Sequence, residues 1–209
     1  MITDSPLTDG CRILYGIPES LIPEAVALYW QAFGPKLGRV MGPKPRAHAY
    51  LTRVMRRSNA LAVVDGAGCL VAIGGFRTDE GSFAGGSPDD LRAVYGRSGA
   101  AWRINLLGRV ARAGAHHDDS DSFLIDGICV RADMRNRGIG FALIRALIAE
   151  GRRRGHSAIR LEVVEGNRAA RSLYESLGFV AVETHGIGIL RHVFGFASAT
   201  TMICPLTHR

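Results

Sequence analysis

An apolar run from Phe123 to Val130 is followed by a short polar turn and then by apolar residues at helical spacing, Ile139, Leu143, Ile144, Leu147 and Ile148. This predicts a buried strand, a loop carrying Gly138 and Gly140, and a helix. That order constrains the chain more than any other stretch, because it builds an anion site. The first amides of a helix have no intrahelical partner, and the helix dipole places partial positive charge there. Glycines without a Cβ let a phosphate approach the backbone closely. Arg135 and Arg137 add positive charge. The expected ligand is a pyrophosphate or similar polyanion.

Two common phosphate loops do not fit. The Gly-x-x-x-x-Gly-Lys-Ser/Thr loop needs a Lys-Ser/Thr pair that is missing here. The dinucleotide loop needs a third small residue where Leu143 stands. The stretch fits Arg-x-x-Gly-x-Gly, Arg135 to Gly140. Downstream, Asn167, Ala170, Leu173, Tyr174, Leu177, Gly178 and Phe179 read Asn-x-x-Ala-x-x-Leu-Tyr-x-x-Leu-Gly-Phe. Together these segments closely resemble the two signatures of the GNAT (Gcn5-related N-acetyltransferase) superfamily, in the family's order and at a fitting separation. The resemblance is firm over about Leu124 to Phe179, looser over Arg12 to Phe76, and absent from 79 to 121.

The resemblance implies an α/β (α+β) fold: a mixed, mostly antiparallel sheet with helices on both faces and a splayed central strand pair. It implies acetyl-CoA as co-substrate, with no metal. The pyrophosphate would be held by Arg135, Asn136, Arg137, Gly138, Ile139, Gly140 and Phe141. The pantetheine arm would pair with the open strand edge at Ile128, Cys129 and Val130, with Asn167 and Ala170 nearby. Tyr174 would protonate the departing thiolate. The amide of Ile128 or Cys129 would hold the thioester carbonyl.

An amine with a pKa near that of lysine is largely protonated at neutral pH, so a base is needed. Asp126 is the preferred candidate, because a carboxylate in an apolar strand needs a partner or a purpose. Pairing with a nearby arginine is the competing account. Glu162, on the next strand, is the second candidate. Cys129 has no His-Asp set beside it in the sequence, so direct attack in a ternary complex is expected, without an acyl-enzyme.

The remaining chain is read around this centre. The 209 residues suit one domain, 1–209, with an insertion at about 79–121. Arg12 to Tyr15 reads as a strand and Pro18 to Phe33 as a helix. Gly34 to Pro45, with three prolines and three glycines, reads as a loop. A second helix follows over Arg46 to Arg57. Two strands, Leu61 to Val64 and Cys69 to Phe76, flank an Asp65-Gly66 hairpin turn. Within the insertion, Leu91 to Val110 reads as helix broken near Gly96 to Gly99. Strict alternation along the central strand puts Leu124, Asp126, Ile128 and Val130 on one face. Strands at Ala158 to Val164, Val180 to His185 and Phe196 to Cys204 complete the pattern.

By resemblance, Phe33 to Met41, His185, Arg191 and His192 border the acceptor site. The 79–121 insertion is long enough to be a lid over that site, a dimer contact, or a surface segment packed on the sheet. The acceptor would be a small-molecule or peptide amine. The basic insertion weakly favours an acidic acceptor. His116-His117-Asp118-Asp119 lacks a second half-site at ligand spacing and reads as solvated loop.

The net charge of +7 admits nucleic acid, membrane or small anions as partners. A phosphate-rich co-substrate accounts for part of that excess. Nucleic acid is disfavoured, since the arginines are not interleaved with exposed aromatics. The rival reading is a CoA-binding sensor or basic nucleic-acid module without turnover. Four cysteines far apart suit reduced thiols, with Cys11, Cys69 and Cys129 buried, in a cytoplasmic protein. Met1 to Gly10 does not read as a signal peptide, and no apolar run reaches membrane-spanning length. A monomer or homodimer is expected.

Overall fold

The computed structural model describes residues 10–113, 121–188 and 191–206, without the side chains of 110–113 and 192. The N-terminal segment and the His116–Asp119 cluster lie outside the described residues. Strands β1 (Arg12–Tyr15), β2 (Ala60–Val64), β3 (Leu70–Phe76), β4 (Ser122–Val130), β5 (Ala158–Val164), β6 (Val180–Gly186) and β7 (Ser198–Pro205) form one sheet. Its order is β1-β2-β3-β4-β5-β7-β6. Every neighbouring pair is antiparallel except β4 and β5, which run parallel.

Both faces of the sheet are covered. Helix α4 (Ile139–Arg153) and helix α5 (Arg168–Ser176) bury Ile139, Leu143, Leu147 and Tyr174 on one face, against Leu61, Val63, Ile159 and Leu161. Helices α1 (Ile22–Met41) and α2 (Lys44–Val54) pack Ala25, Val26, Leu28 and Leu51 on the other, against Ala60, Ala62, Val64 and Ile73. This sandwiching is why β2 and β3 are apolar at every position rather than at alternate ones. Among the described residues no helix is long and apolar enough to cross a membrane.

The expected loop from Gly34 to Pro45 is mostly helix. α1 continues through Gly34, Pro35 and Gly38 to Met41. Helix propensity there is poor, but tertiary contacts outweigh it. Val40 and Met41 are buried against α2 and the insertion. The insertion also supplies the partners that the last carbonyls of α1 lack. Its helix α3 (Pro88–Ala113) breaks at Gly96, where φ is +72°. Tyr95 Oη donates to Met41 O at 2.6 Å. Arg103 is 8 % exposed and its guanidinium donates to Val40 O, Gly99 O and Gly42 O at 2.7, 2.6 and 3.1 Å. The same group stacks on the Tyr95 and Trp102 rings at 3.9 and 4.3 Å. Helix α6 (Arg191–Phe194), between β6 and β7, joins this cluster through Phe194.

Two smaller expectations are also corrected. Cys69 is exposed at the hairpin end rather than buried. The strict alternation along β4 fails, because a bulge intervenes. Gly75 opposes Gly127 and Phe76 opposes Ile125, which leaves Asp126 as the extra residue. Ile125, Ile128 and Val130 therefore share the α4 face, while Cys129 packs with the α1 cluster.

Candidate functional site

The parallel pairing of β4 with β5 is short. It covers Ser122↔Ala158, Phe123↔Ile159 and Leu124↔Arg160, and then the strands part. β4 continues to pair with β3 beyond that point, through Cys129↔Ile73 and Val130↔Ala72. Arg131 N donates to Val71 O at 2.8 Å. In an antiparallel ladder alternate residues exchange both bonds. Cys129 and Gly127 therefore turn their main-chain groups to β3, while those of Ile128 and Val130 face the gap toward β5. This corrects the pairing proposed for Cys129: its amide is committed to the sheet. The Cys129 thiol is 4 % exposed, and burial pushes it up to about 12, which makes it a poor nucleophile.

The gap opens onto the N-terminus of α4. Gly138 is the N-cap residue with φ +76°, and α4 has no side-chain cap there. The amides that begin α4 thus lack an intrahelical partner. Asn136 adopts φ +60°, the only positive φ of a non-glycine among the described residues, so the backbone turns sharply twice before the helix. A Cβ built on Gly138 meets nothing within 4 Å and would project into open space over the loop. A Cβ on Gly140 would meet Leu173 at 3.4 Å and Val130 at 3.8 Å. The helix start is therefore wedged between the end of β4 and α5.

Arg135 Nε donates to Val130 O at 3.1 Å, which ties the loop to the gap-facing edge of β4. Arg137 and Gly138 are exposed, Ile139 is buried, and Phe141 is 39 % exposed. These groups fit the phosphates and pantetheine of acetyl-CoA: an uncapped helix start, a glycine cradle and a free strand edge.

On α5, Asn167 Oδ1 caps the helix by accepting from Ala170 N at 3.4 Å. Tyr174 is buried beside Phe179, with ring centroids 5.9 Å apart. Burial lifts its phenol to about 12.

The two carboxylates expected as bases have different surroundings. Asp126 Oδ2 accepts from Phe83 N at 3.0 Å, and Ser82 also hydrogen-bonds to this carboxylate. It ties the start of the insertion to the β4 bulge. Burial raises its pKa, opposed by those hydrogen bonds and by Arg77. Its principal partner is thus a backbone amide. Glu162 stands two residues beyond the last β4–β5 pair, with 41 % of its side chain exposed. Its Oε1 lies 4.0 Å from Arg160 Nη2 and 3.9 Å from His185 Nε2.

Of the expected acceptor-side residues, the structure brings His185 to Glu162. Arg191 and His192 lie on α6. Phe33 sits at the bulge, with its ring 3.7 Å from a Cβ built on Gly127. Tyr29 also lies at the bulge, a place its position in the Pro18 to Phe33 helix does not reveal. Its ring comes to 3.4 Å from the same built Cβ, and burial, then Asp126, raises its phenol pKa. Nothing in the local pattern of α1 marks it, since its partners lie a hundred residues away.

Comparison with known proteins agrees with this geometry. The acetyltransferase (GNAT) family profile matches residues 48–179. The ribosomal protein bS18-alanine N-acetyltransferase of Escherichia coli is 44 % identical over 59 residues, 28 % of this chain and 40 % of that protein. A probable N-acetyltransferase, camello, of Xenopus tropicalis is 40 % identical over 81 residues, 37 % of each chain. The matches thus span well under half the length of these curated relatives. Among solved structures, the Escherichia coli ribosomal-protein-S18-alanine N-acetyltransferase superposes with a TM-score of 0.56 at 18 % identity, covering 95 % of this chain and 96 % of that one. A GCN5-related N-acetyltransferase from Kribbella flavida gives 0.59 at 17 %, covering 94 % and 98 %. At such identities the structures speak to the fold. The profile match covers more than half of the sequence, over the same splayed strands and helix starts, and by it the chain belongs to the acetyltransferase (GNAT) family.

Proposed function

We propose that this chain transfers the acetyl group of acetyl-CoA to a primary amine by direct attack in a ternary complex. The observation that carries the reading is the β4–β5 gap, with the free edges of Ile128 and Val130 running into the uncapped start of α4. Acetyl-CoA supplies an activated thioester. The amides of Gly138 to Phe141 and the charges of Arg135 and Arg137 anchor its phosphates. The Ile128 amide is positioned to donate to a carbonyl lying in the gap. Tyr174 keeps its proton throughout the physiological range and supplies a hydrogen bond to the developing thiolate.

Glu162 is the better base. It is accessible beside the gap, whereas Asp126 spends an oxygen on Phe83 and holds the insertion in place. The acceptor is an amine, small or peptidyl. The relative's name makes a peptide with an N-terminal alanine one member of the panel to test. We place it in the cytoplasm, as a monomer or homodimer.

The test is calorimetric titration of acetyl-CoA, followed by thiol release against a panel of amines and peptides. Binding with turnover on an acceptor is the expected result. Glu162→Gln and Tyr174→Phe should each then lower kcat about 10²-fold or more while leaving acetyl-CoA affinity within a few-fold. Binding without turnover on any acceptor would favour the sensor reading. An unchanged rate in Glu162→Gln with a loss in Asp126→Asn would return the base to Asp126.

A further inference from the structure

A cavity lies in the groove between α1 and α2, bordered by Leu70 at the start of β3 and by Arg131 just after β4. Its volume is about 460 Å³, within the size range of small-molecule sites. None of the loop residues Arg135 to Phe141 lines it. Its walls include the apolar Leu28, Leu70 and Trp30, with Glu24, Gln31, Lys44 and His48 as polar groups.

The polar groups are arranged as a recognition site rather than as a structural network. Glu24 and Lys44 line the same cavity with opposite charge, yet among the described residues neither makes an ion pair. Glu24 Oε2 accepts from Leu70 N at 2.9 Å, which fixes the carboxylate without neutralising it. His48 Nε2 is buried and has no hydrogen-bond partner among the described residues. The ring stands edge-on to Trp30, with centroids 6.1 Å apart. A buried polar atom left without a partner is costly, so a ligand group that reaches it gains affinity. Burial, then Lys44, lowers the His48 pKa, so the imidazole is neutral at pH 7 and can donate or accept. Arg131 also borders the cavity, but Asp133 at 2.8 Å and Asp65 at 3.8 Å already engage it.

We infer that this groove binds a small zwitterion, a free α-amino acid or close analogue, with its ammonium at Glu24, its carboxylate at Lys44 and a hydrogen bond to His48. A ligand carrying both charges bridges two side chains that do not reach each other, and Trp30 offers an apolar wall to its side chain. A simple anion would leave Glu24 opposing it, and a simple amine would leave Lys44 opposing it. The site is independent of acetyl transfer and stands or falls separately from that reading.

The test uses the full chain in thermal-shift and calorimetric titrations with the free L-amino acids. Propionate and ethylamine serve as single-charge controls, and acetyl-CoA is titrated in parallel. The expected result is binding of one or a few amino acids but of neither control. Glu24→Gln keeps the acceptor for Leu70 N and should weaken that binding at least tenfold, as should Lys44→Ala. Acetyl-CoA affinity should be unchanged in both variants. Both positions are exposed, so folding is not at stake, and the His48 ring resonances should shift on saturation in the wild type. The inference is overturned if no amino acid binds, if propionate binds as well as alanine, or if both variants bind normally. It is equally overturned if acetyl-CoA competes, which would make the groove part of the co-substrate site.

Discussion

Replacing Arg103 by alanine tests how the insertion is joined to the rest of the fold. Its guanidinium reaches three carbonyls, but they are not equivalent. Gly99 O lies four residues upstream in α3 and has the Arg103 amide as its own helical partner. Val40 O and Gly42 O are at the end of α1, where the last carbonyls have no intrahelical donor. Arg103→Ala leaves those two buried and unsatisfied, at about 1–3 kcal/mol each. Relief of the buried guanidinium's desolvation and about 2 kcal/mol of recovered side-chain entropy offset part of this. Lost stacking on the Tyr95 and Trp102 rings adds about 1–2 kcal/mol, so the net loss is about 2–4 kcal/mol, or a fall in Tm of roughly 5–15 °C for a chain of this size. Arg103→Met keeps a stem between Tyr95 and Trp102 but loses the fork, and should recover only the packing share. Urea and thermal unfolding read both variants. If Arg103→Ala unfolds within about 2 °C of the wild type, the carbonyls are satisfied some other way and the clamp is wrong. If Arg103→Met matches the wild type, stacking rather than hydrogen bonding joins the two parts.

Further outcomes follow from single positions. Gly138→Val should abolish acetyl-CoA binding by calorimetry. Gly155→Val is its control, since Gly155 has φ +83° in open space and carries the same backbone strain away from the loop. Gly75→Ala should cost about 1–3 kcal/mol in urea unfolding, because its Cβ would stand 2.5 Å from the Phe83 ring, and a smaller side chain at 83 should recover part of the loss. A thiol reagent at pH 8 should modify Cys69 in the native protein, with Cys11, Cys129 and Cys204 reacting only on unfolding. The raised pKa of Cys129 has a definite sign in stability. The unfolded thiol ionises from its ordinary 9.0 upward and the native one only near about 12, so its contribution is complete below pH 9 and is lost as pH rises through that window. A Tm constant from pH 8 to 11 would contradict it.

The local signals that the sequence carries concern segments whose partners are near in the chain. The strand, loop and helix from Phe123 to Ile148 follow from one apolar run, two glycines and one helical stripe. Asp65-Gly66 marks the hairpin, and Asn167 and Gly178 bracket α5. Backbone sterics and unpaired helix-end amides act over a few residues, so the glycine loop and helix start were legible without their surroundings.

Other features depend on distant residues. The passage of α1 through Pro35 rests on Tyr95 and Arg103, more than fifty residues later. The bulge at Asp126 depends on glycines in β3 and on Phe83, and it alone reverses which face Ile128 presents. In sequence Asp126 is the preferred base and Glu162 the second candidate. Only the fold buries one behind an amide and leaves the other beside the gap. The order β5-β7-β6 likewise has no local signal. Chain geometry and solvation set the elements and the glycine loop before α4 from the sequence alone. Which edge stays unpaired, which carboxylate is wet and which charges face each other across a cavity are pairings between remote segments, and tertiary packing decides those.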